Sequence, residues 1–506
     1  MRAVDHFIDG RIWRGATSRT AEVFNPATGD VEATVSMGDA HVVEVAVKTA
    51  KVAQRSWAAA TPQRRARVMM NFVTLLNQNM AQLAELMSRE HGKTLADSIG
   101  DLQRGLEVGE FSIGIPHLLK GEFTEGAGPG IDMYSLRQPM GVGAGITPFN
   151  FPGMIPMWMF APAIVCGNAF ILKPSERNPS VPVRLAELML EAGLPPGVFN
   201  VVHGDKETVT AIIEHRDVAA VSFVGSTPAA AQVYASCAAH GKRVQCFGGA
   251  KNHAIIMPDA PLDLAADALI GASFGSAGER CMALSVAVPV GEETADRLVH
   301  ALKSRVESLK IGPYTSEKVD FGPVITRAAV ERINSLIGRG VSEGASLIVD
   351  GRNFQLQGYE NGFFVGATLV DHVTSEMEIY RAEIFGPVLS VVRPANYEDA
   401  LRLVNDHEYG NGSAIFTQNG GAARDFANRV QTGMVGINVP IPTPLAYYSF
   451  GGWKRSAFGD LNQHGPDSIK FWTKPKTVTS RWPSRTVIGS EFAMPVFDNL
   501  IRTTRT

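Results

Sequence analysis

Apolar residues recur at helical spacing over residues 39–119. One such series contains Val43, Ala46, Val47 and Ala50. Because positions three and four apart lie on one face of a helix, the pattern predicts amphipathic helices. Their apolar faces are expected to pack on a sheet.

Beyond residue 140 the chain alternates short apolar runs with helical stretches. Strands are predicted over 167–173, 219–224, 243–246, 254–257 and 346–349. Strands that alternate with helices are typical of parallel sheets covered on both faces. The predicted fold class is therefore α/β, with two doubly wound α/β domains. The length of 506 residues fits this division, since a single hydrophobic core stops growing at about 250–300 residues.

A small β arm is predicted in addition to the two domains. Residues 121–139 hold Gly and Pro turns followed by a strand-like stretch, which indicates a projecting hairpin. Residues 468–482 are also strand-like. The two segments are expected to pair in a sheet that joins subunits.

The composition excludes several classes of partner. Hydrophobic residues make up 45% of the chain and charged residues 19%, which is typical of a globular protein. Lys and Arg number 47 against 50 Asp and Glu, and no basic block is present. Neither nucleic acid nor a membrane surface is therefore expected as a partner. The apolar tract over 153–172 is interrupted by Pro156 and Pro162, which favours buried helix and strand over a membrane span.

The cysteines indicate a reducing compartment. Cys166, Cys237, Cys246 and Cys281 are widely spaced and form no Cys-x-x-Cys pair, so neither a disulfide framework nor a metal site is expected. Acidic residues near the N-terminus interrupt the apolar core that a secretory signal would need. A cytoplasmic location is expected.

Cys281 is the candidate nucleophile. Small residues over 275–278 leave room for a substrate carbon, and the adjacent Arg280 offers a positive charge that would favour the thiolate. Taken alone, the stretch fits a buried structural cysteine better, because free Cys is among the most buried residue types. The other motifs of the chain have to decide between a nucleophile and a structural cysteine.

Asn150 is the candidate oxyanion donor. The stretch over 141–146 predicts a buried strand that breaks into a Pro-rich loop, and this loop can aim one amide side chain at a reacting oxygen. The alternative is that Asn150 binds its own backbone, as turn asparagines do. The glycines here do not form the Gly-x-Gly-x-x-Gly dinucleotide fingerprint.

Two predicted strand-to-helix units carry groups suited to a nucleotide. Lys173 and Glu176 follow the first strand, where a cation and a carboxylate can hold ribose hydroxyls. Ser226 precedes Thr227 and Pro228 at the start of the next helix, and a free helix N-terminus binds phosphate. The alternative is an α/β domain with ordinary helix caps.

These motifs together resemble the aldehyde dehydrogenase family over essentially the whole chain. The motifs that carry the resemblance stand in family order: Thr-Pro-Phe-Asn-Phe-Pro (147–152), Leu-Lys-Pro-Ser-Glu (172–176), Phe-Val-Gly-Ser-Thr (223–227), Gly-Glu-Arg-Cys (278–281) and Glu-Ile-Phe-Gly-Pro (383–387). Residues 249–253, 279–283 and 471–474 resemble the CoA-acylating methylmalonate-semialdehyde dehydrogenase branch of that family.

The resemblance implies how the chain is divided into domains. Residues 1–120 and 140–248 would form an NAD-binding domain, 249–440 a catalytic domain, and 121–139 with 465–490 an oligomerisation arm. A homotetramer or homodimer is implied. The implied cofactor site uses Thr147, Phe149, Lys173, Glu176, Arg177, Ser226, Gly248 and, at the nicotinamide ribose, Glu383.

One departure from the family pattern indicates the subclass. Hydrolytic relatives carry a water-activating glutamate where this chain has Phe247, or Cys246 if the alignment shifts by one residue. The function implied is therefore NAD-dependent, CoA-acylating oxidative decarboxylation of methylmalonate or malonate semialdehyde, with Arg104 and Arg280 on the substrate carboxylate. A hydrolytic dehydrogenase of another carboxylated semialdehyde is the nearest alternative, and a catalytically silent binding protein is a second. Arg104 by itself is equally a surface arginine.

Overall fold

The structure, a computed structural model, describes residues 2–15, 19–128 and 130–482. The N-terminal part holds the strands β1 (Arg2–Val4), β2 (His6–Ile8), β3 (Arg11–Trp13), β4 (Thr20–Phe24) and β5 (Val31–Ser36). The predicted helical region forms α1 (Ala40–Ala59), α2 (Pro62–Gln78), α3 (Met80–His91), α4 (Leu95–Ile113) and α5 (Ile115–Leu118). The predicted hairpin follows as β6 (Phe123–Gly128) and β7 (Ile131–Pro139).

Strands and helices then alternate through the rest of the chain. The first stretch contains β8 (Val142–Ile146), α6 (Met154–Val165), β9 (Ala169–Lys173), α7 (Ser180–Glu191), β10 (Phe199–Val201), α8 (Lys206–Glu214), β11 (Val218–Val224), α9 (Thr227–Ala239) and β12 (Arg243–Phe247). The second contains β13 (Asn252–Ile256), α10 (Leu262–Phe274), β14 (Leu284–Pro289), α11 (Glu292–Glu307), α12 (Arg327–Ser342), β15 (Ser346–Val349), β16 (Thr368–Asp371), α13 (Glu378–Arg381), β17 (Val388–Val391), α14 (Tyr397–Asp406), β18 (Tyr409–Gly410), β19 (Gly412–Phe416), α15 (Gly420–Arg429) and β20 (Met434–Ile437). The last contains β21 (Trp453–Lys454), β22 (Ala457–Phe458), α16 (Gly465–Trp472) and β23 (Thr473–Arg481).

The first large sheet is doubly wound. Its strand order is β22-β12-β11-β8-β9-β10-β2-β3, and the five strands from β12 to β10 run parallel. The chain starts at β8, proceeds outward through β9 and β10, and returns to β11 on the other side of β8. This reversal creates a crevice at the carboxyl ends of β8 and β11, which is where open parallel sheets bind ligands.

The second large sheet has the order β15-β16-β17-β14-β13-β19-β20, and all of its strands except β15 run parallel. Strand β12 ends at Phe247 and β13 begins at Asn252, so a short segment connects the carboxyl edge of the first sheet to the amino edge of the second. The predicted α/β class with two doubly wound sheets is confirmed.

The helices pack as the apolar pattern predicts. Val43, Ala46, Val47 and Ala50 are all buried on α1, which contacts β8 and β9. Every residue of α6 is buried, as expected for the apolar tract that contains it. No helix within the described residues is both long and apolar enough to cross a membrane.

The arm differs in part from its prediction. Strand β23 pairs antiparallel with β7 over nine residues, in a three-stranded sheet with β6. Residues 468–472, predicted to be strand-like, instead end helix α16. The helix buries Phe471 and Trp472 in the same core as Phe170, and this tertiary packing outweighs their intrinsic β propensity. Residues 483–490 of the predicted arm lie outside the described residues.

Candidate active site

Cys281 lies on the connection from α10 to β14. The preceding residues 275–278 form a 3-10 turn in which Ser276 and Ala277 adopt left-handed backbone angles, with φ of 54° and 52°. Gly278 has φ of +72°, and a Cβ added there would stand 2.1 Å from the carbonyl oxygen of Gly386. Glycine at position 278 is therefore required by its backbone conformation and by its close approach to a neighbouring loop, whereas Ser276 and Ala277 adopt left-handed angles despite their side chains.

Two asparagines fix the backbone of the cysteine. The amides of Asn252 and Asn411 donate to the Cys281 carbonyl oxygen at 2.9 and 3.0 Å. Strands β13, β14 and β19 are neighbours, so both asparagines lie at the same amino edge as Cys281. Sequence reasoning missed both residues. Asn252 could have been identified from the sequence, because it belongs to the 249–253 motif. Asn411 belongs to no motif that would have identified it.

The electrostatics of Cys281 differ from the prediction. Burial, with a smaller contribution from the nearby Glu383 carboxylate, raises the pKa of its thiol to about 12. The backbone N–H groups of Cys281 and Met282 favour the thiolate, and Arg280 does so less than either. Arg280 therefore favours the thiolate as expected, but only weakly compared with burial, and its guanidinium also pairs with the carboxylate of Asp97.

Asn150 lies on the loop between β8 and α6. The residue is buried, and its backbone carbonyl accepts a hydrogen bond of 2.6 Å from Lys93 Nζ. Among the described residues its side-chain amide has no hydrogen-bond partner, so the alternative of an amide bound to its own backbone does not hold. The amide is available to a substrate oxygen.

The predicted nucleotide residues converge on the carboxyl edge of the first sheet. Ile146, Lys173 and Phe223 end or nearly end three neighbouring strands in register. Thr147 follows directly, and its buried hydroxyl has no partner within the described residues. Ser226 is exposed at the N-cap of α9, where its hydroxyl makes no capping bond.

The remaining cofactor candidates surround this edge. Lys173 Nζ lies 3.6 Å from Glu176, and burial lowers the pKa of the lysine. The guanidinium of Arg177 stacks 5.2 Å from the ring centre of Phe149. A Cβ added at Gly248 would stand 2.9 Å from both the Thr227 hydroxyl and the carbonyl oxygen of residue 455, so the backbone turn is tightly enclosed there.

Glu383 connects the two halves of the site. Its carboxylate accepts a 2.9 Å hydrogen bond from the backbone N–H of Ala250, and burial raises its pKa. Glu383 and Cys281 line one cleft. Phe385 lies two residues further and meets Phe149 edge-to-face at 5.8 Å, which brings the second sheet against the nucleotide edge of the first.

No carboxylate occupies the position of the missing base. Phe247 ends β12 in a buried place with its ring 6.4 Å from that of Phe450. Cys246 is fully buried between its pairing neighbours Phe223 and Phe458, and burial raises the pKa of its thiol. Neither side chain can take a proton from water.

Arg104 is neither free nor fully exposed. It lies on α4, pairs with Glu107 at 2.8 Å, and donates to the carbonyl oxygen of Thr443 at 3.4 Å. That contact ties it to the loop after β20. Asp97, the partner of Arg280, lies on the same helix two turns earlier, so α4 connects the two arginines predicted to bind a carboxylate.

Two mostly parallel sheets, with Cys281 at the amino edge of the second sheet beside a cleft that Glu383 also lines, are the arrangement of aldehyde-oxidising dehydrogenases. The chain belongs to the aldehyde dehydrogenase family, whose model matches residues 13–478.

Individual relatives cover nearly the whole chain. The malonate-semialdehyde dehydrogenase of Pseudomonas aeruginosa is 53% identical over 98% of this chain and 100% of its own length. A crystal structure with NAD of a protein from Sinorhizobium meliloti 1021, provisionally named methylmalonate-semialdehyde dehydrogenase, is 69% identical with a TM-score of 0.95, covering 96% of this chain and 99% of its own. The methylmalonate-semialdehyde dehydrogenase of Oceanimonas doudoroffii is 54% identical, with the same TM-score and coverage.

Proposed function

We propose that this protein catalyses the NAD-dependent, CoA-acylating oxidative decarboxylation of malonate or methylmalonate semialdehyde to acetyl-CoA or propionyl-CoA. Membership of the aldehyde dehydrogenase family supports the oxidation step, and the names of relatives at 53% and 54% identity support the substrate class. The single observation that carries CoA as acceptor is Phe247, buried where hydrolytic relatives carry a glutamate.

The residues of the nucleotide edge fit NAD. The unpartnered Thr147 hydroxyl, the free Ser226 hydroxyl and the enclosed turn at Gly248 are the groups that a bound nucleotide would use. Glu176 and Lys173 would hold ribose hydroxyls, Phe149 and Arg177 would flank the cofactor, and Glu383 would bind the nicotinamide ribose. NAD, when bound, supplies the acceptor for the substrate hydride.

The reaction begins at Cys281. Its thiol gives up its proton to water, and the sulfur bonds to the aldehyde carbon while the electron pair of the carbonyl moves onto oxygen. The Asn150 amide and the Cys281 backbone N–H donate to this oxyanion, which matters most in a buried site. Loss of hydride from the same carbon re-forms the carbonyl and leaves a thioester on Cys281.

The substrate carboxylate determines the next step. It stands β to the thioester carbonyl, so the bond to CO2 can break with its electron pair held as a thioester enolate. Protonation of the α carbon gives the acyl-enzyme. The thiol of CoA then attacks the thioester carbonyl, and the Cys281 sulfur leaves and regains a proton.

The oligomer and the cellular location belong to the same proposal. The arm exposes Phe123, Met133 and Leu136, which are apolar side chains suited to contact with a second copy. We therefore propose a homotetramer or homodimer joined through the arm, with the two sheets serving as NAD-binding and catalytic domains. The four free cysteines agree with a cytoplasmic location.

The test of the substrate class is a panel of aldehydes with NAD, with and without CoA, followed by product identification by mass. Acetyl-CoA or propionyl-CoA with release of CO2 is the expected result. A free diacid that retains every carbon atom of the semialdehyde would instead support the hydrolytic alternative.

The two arginines give a specific prediction. Arg104→Gln and Arg280→Gln should each raise the KM for a carboxylated semialdehyde by about tenfold or more, because a guanidinium–carboxylate bond is lost. The KM for propanal should change little. Steady-state kinetics on both substrates is the measurement, and Arg429→Gln, which removes surface ion pairs on α15, is the control. Equal effects on both substrates would assign Arg104 and Arg280 a structural role.

Cofactor choice gives a second prediction. Glu176 would repel the 2′-phosphate of NADP, so NAD should bind about tenfold more tightly or better. Titration of both cofactors by fluorescence measures this, and Glu176→Gln should narrow the difference. Equal or tighter binding of NADP by the unaltered protein would contradict it, with Arg177 as the group to examine next.

A further inference from the structure

One face of α4 touches the three loops that surround the candidate active site. Asp97, Asp101 and Arg104 follow each other at spacings of four and three, which places them on the same side of the helix. Asp97 contacts the cysteine loop, Asp101 the Asn150 loop and Arg104 the loop after β20. The helix therefore connects groups that are far apart in sequence.

The contacts of Lys93 and Asp101 restrain the Asn150 loop at its middle and at its junction with α6. Lys93 Nζ donates to the Asn150 carbonyl oxygen at 2.6 Å, and Asp101 Oδ1 accepts from the Met154 N–H at 2.6 Å. The two side chains pair with each other at 3.1 Å. The Lys93 ammonium also lies 4.5 Å from the ring centre of Phe151.

This pair is deeply buried, and α4 approaches the loop closely. The side chains of Lys93 and Asp101 are 1% and 0% exposed. Burial raises the pKa of Asp101, while Lys93 and the Met154 N–H oppose the shift. A Cβ added at Gly153 would stand 2.8 Å from Leu102, so the loop rests directly on the helix.

Stability alone does not account for such a pair. Taking two ions out of water costs several kcal/mol each, and well-packed apolar residues often replace buried ion pairs without loss of stability. The hydrogen bonds of this pair go to the loop that carries the oxyanion donor. Charged donors and acceptors at fixed points hold a backbone more exactly in place than apolar packing does.

The cysteine loop is attached to the same helix face. Asp97 Oδ2 accepts from the Ser276 N–H at 3.2 Å, and Oδ1 pairs with Arg280. Asn150 and the Cys281 backbone N–H are the two proposed oxyanion donors, and each belongs to a loop bound by a carboxylate of α4. Their separation is therefore set through one rigid element.

We propose that Lys93 and Asp101 are positioning residues, which hold the Asn150 amide in register with Cys281 for oxyanion stabilisation. The inference rests on the proposed oxyanion role of Asn150. It predicts that the pair acts on catalysis through Asn150 and not through cofactor binding or global stability.

The experiment is a double-mutant cycle read out by the rate of the first NADH burst. Lys93→Met and Asp101→Asn are each prepared alone and together with Asn150→Ala. Asn150→Ala should slow the burst by about a hundredfold to a thousandfold. Lys93→Met should slow it by roughly ten- to a hundredfold, since a misplacement of about 1 Å is enough for such a loss.

The cycle separates positioning from stability. In the Asn150→Ala background the further loss from Lys93→Met should fall below about twofold, because coupled residues are not additive. NAD affinity should stay within about twofold in every variant. Lys242→Met is the matched control: Lys242 is also buried and donates to two backbone carbonyls, His215 O and Val218 O, but at the amino ends of β11 and β12. It should leave the burst rate unchanged.

Every other outcome overturns the inference. If Lys93→Met lowers the burst rate by the same factor with and without Asn150→Ala, the pair acts elsewhere. If Lys93→Met leaves the burst rate unchanged, the pair does not act on catalysis. Failure of both Lys93→Met and Asp101→Asn to fold would assign the pair to stability. If Asn150→Ala itself has no effect, the proposed oxyanion role is what fails, and the inference falls with it.

Discussion

Cys281→Ala is expected to abolish NADH formation, with a loss of at least about a thousandfold. Without the sulfur no bond forms to the aldehyde carbon, and a buried aldehyde has no other nucleophile from which hydride transfer can start. The protein should remain folded, because Ala removes only the sulfur atom and leaves the Asn252 and Asn411 contacts to the backbone carbonyl intact. Initial rates at saturating NAD, with NAD binding measured separately, test this.

Cys237→Ala is the matched control for this prediction. Cys237 lies on α9 in the core of the first sheet, and burial raises the pKa of its thiol to about 11. Its removal should cost some stability by leaving a small cavity, without effect on the rate at a temperature where the protein is folded. Substantial turnover by Cys281→Ala would show that the thioester mechanism is wrong.

Without CoA, about one NADH per active subunit is expected in a burst, followed by slow turnover. Hydride transfer needs only the aldehyde, NAD and Cys281, so the first turnover proceeds to the thioester. Its hydrolysis needs a base to take a proton from water, and Phe247 packs against Phe450 in that place. A thiol with a pKa of roughly 8.5 ionises far more readily than water, so CoA should restore a steady rate. Stopped-flow absorbance with and without CoA measures both phases.

Phe247→Glu tests whether a carboxyl group at this position is enough to restore hydrolysis of the thioester. A carboxyl at this buried position, against an aromatic ring, would stay largely protonated at neutral pH, because burial disfavours its charged form. We therefore expect the dependence on CoA to persist in this variant, and in Phe247→Leu as well. Sustained turnover of the unaltered protein without CoA, at a rate that CoA leaves unchanged, would be incompatible with the proposed acceptor.

The sequence by itself determined the elements and the family. The helical spacing of Val43, Ala46, Val47 and Ala50 predicts α1, because this spacing places all four apolar side chains on one face of a helix, where they can be buried together. The short apolar runs predict the parallel strands for a similar reason. The family motifs lie at strand ends and loops, and their residue order is a property of the chain alone. These signals are local, so they can be recognised without the fold.

The tertiary structure decided what depends on neighbours from distant segments. Residues 468–472 are strand-like by composition, and only the core around Phe170 makes them helical. Arg280 stands beside Cys281 in sequence, but its guanidinium pairs with Asp97, and burial is the largest influence on the thiol pKa. Lys93, Asp101 and Asn411 carry no recognisable motif, because their hydrogen bonds to Asn150, Met154 and Cys281 exist only once helix, loop and strand have packed together. A charge or an amide gains its role from the group that packing brings within hydrogen-bond distance, and sequence order does not encode that distance.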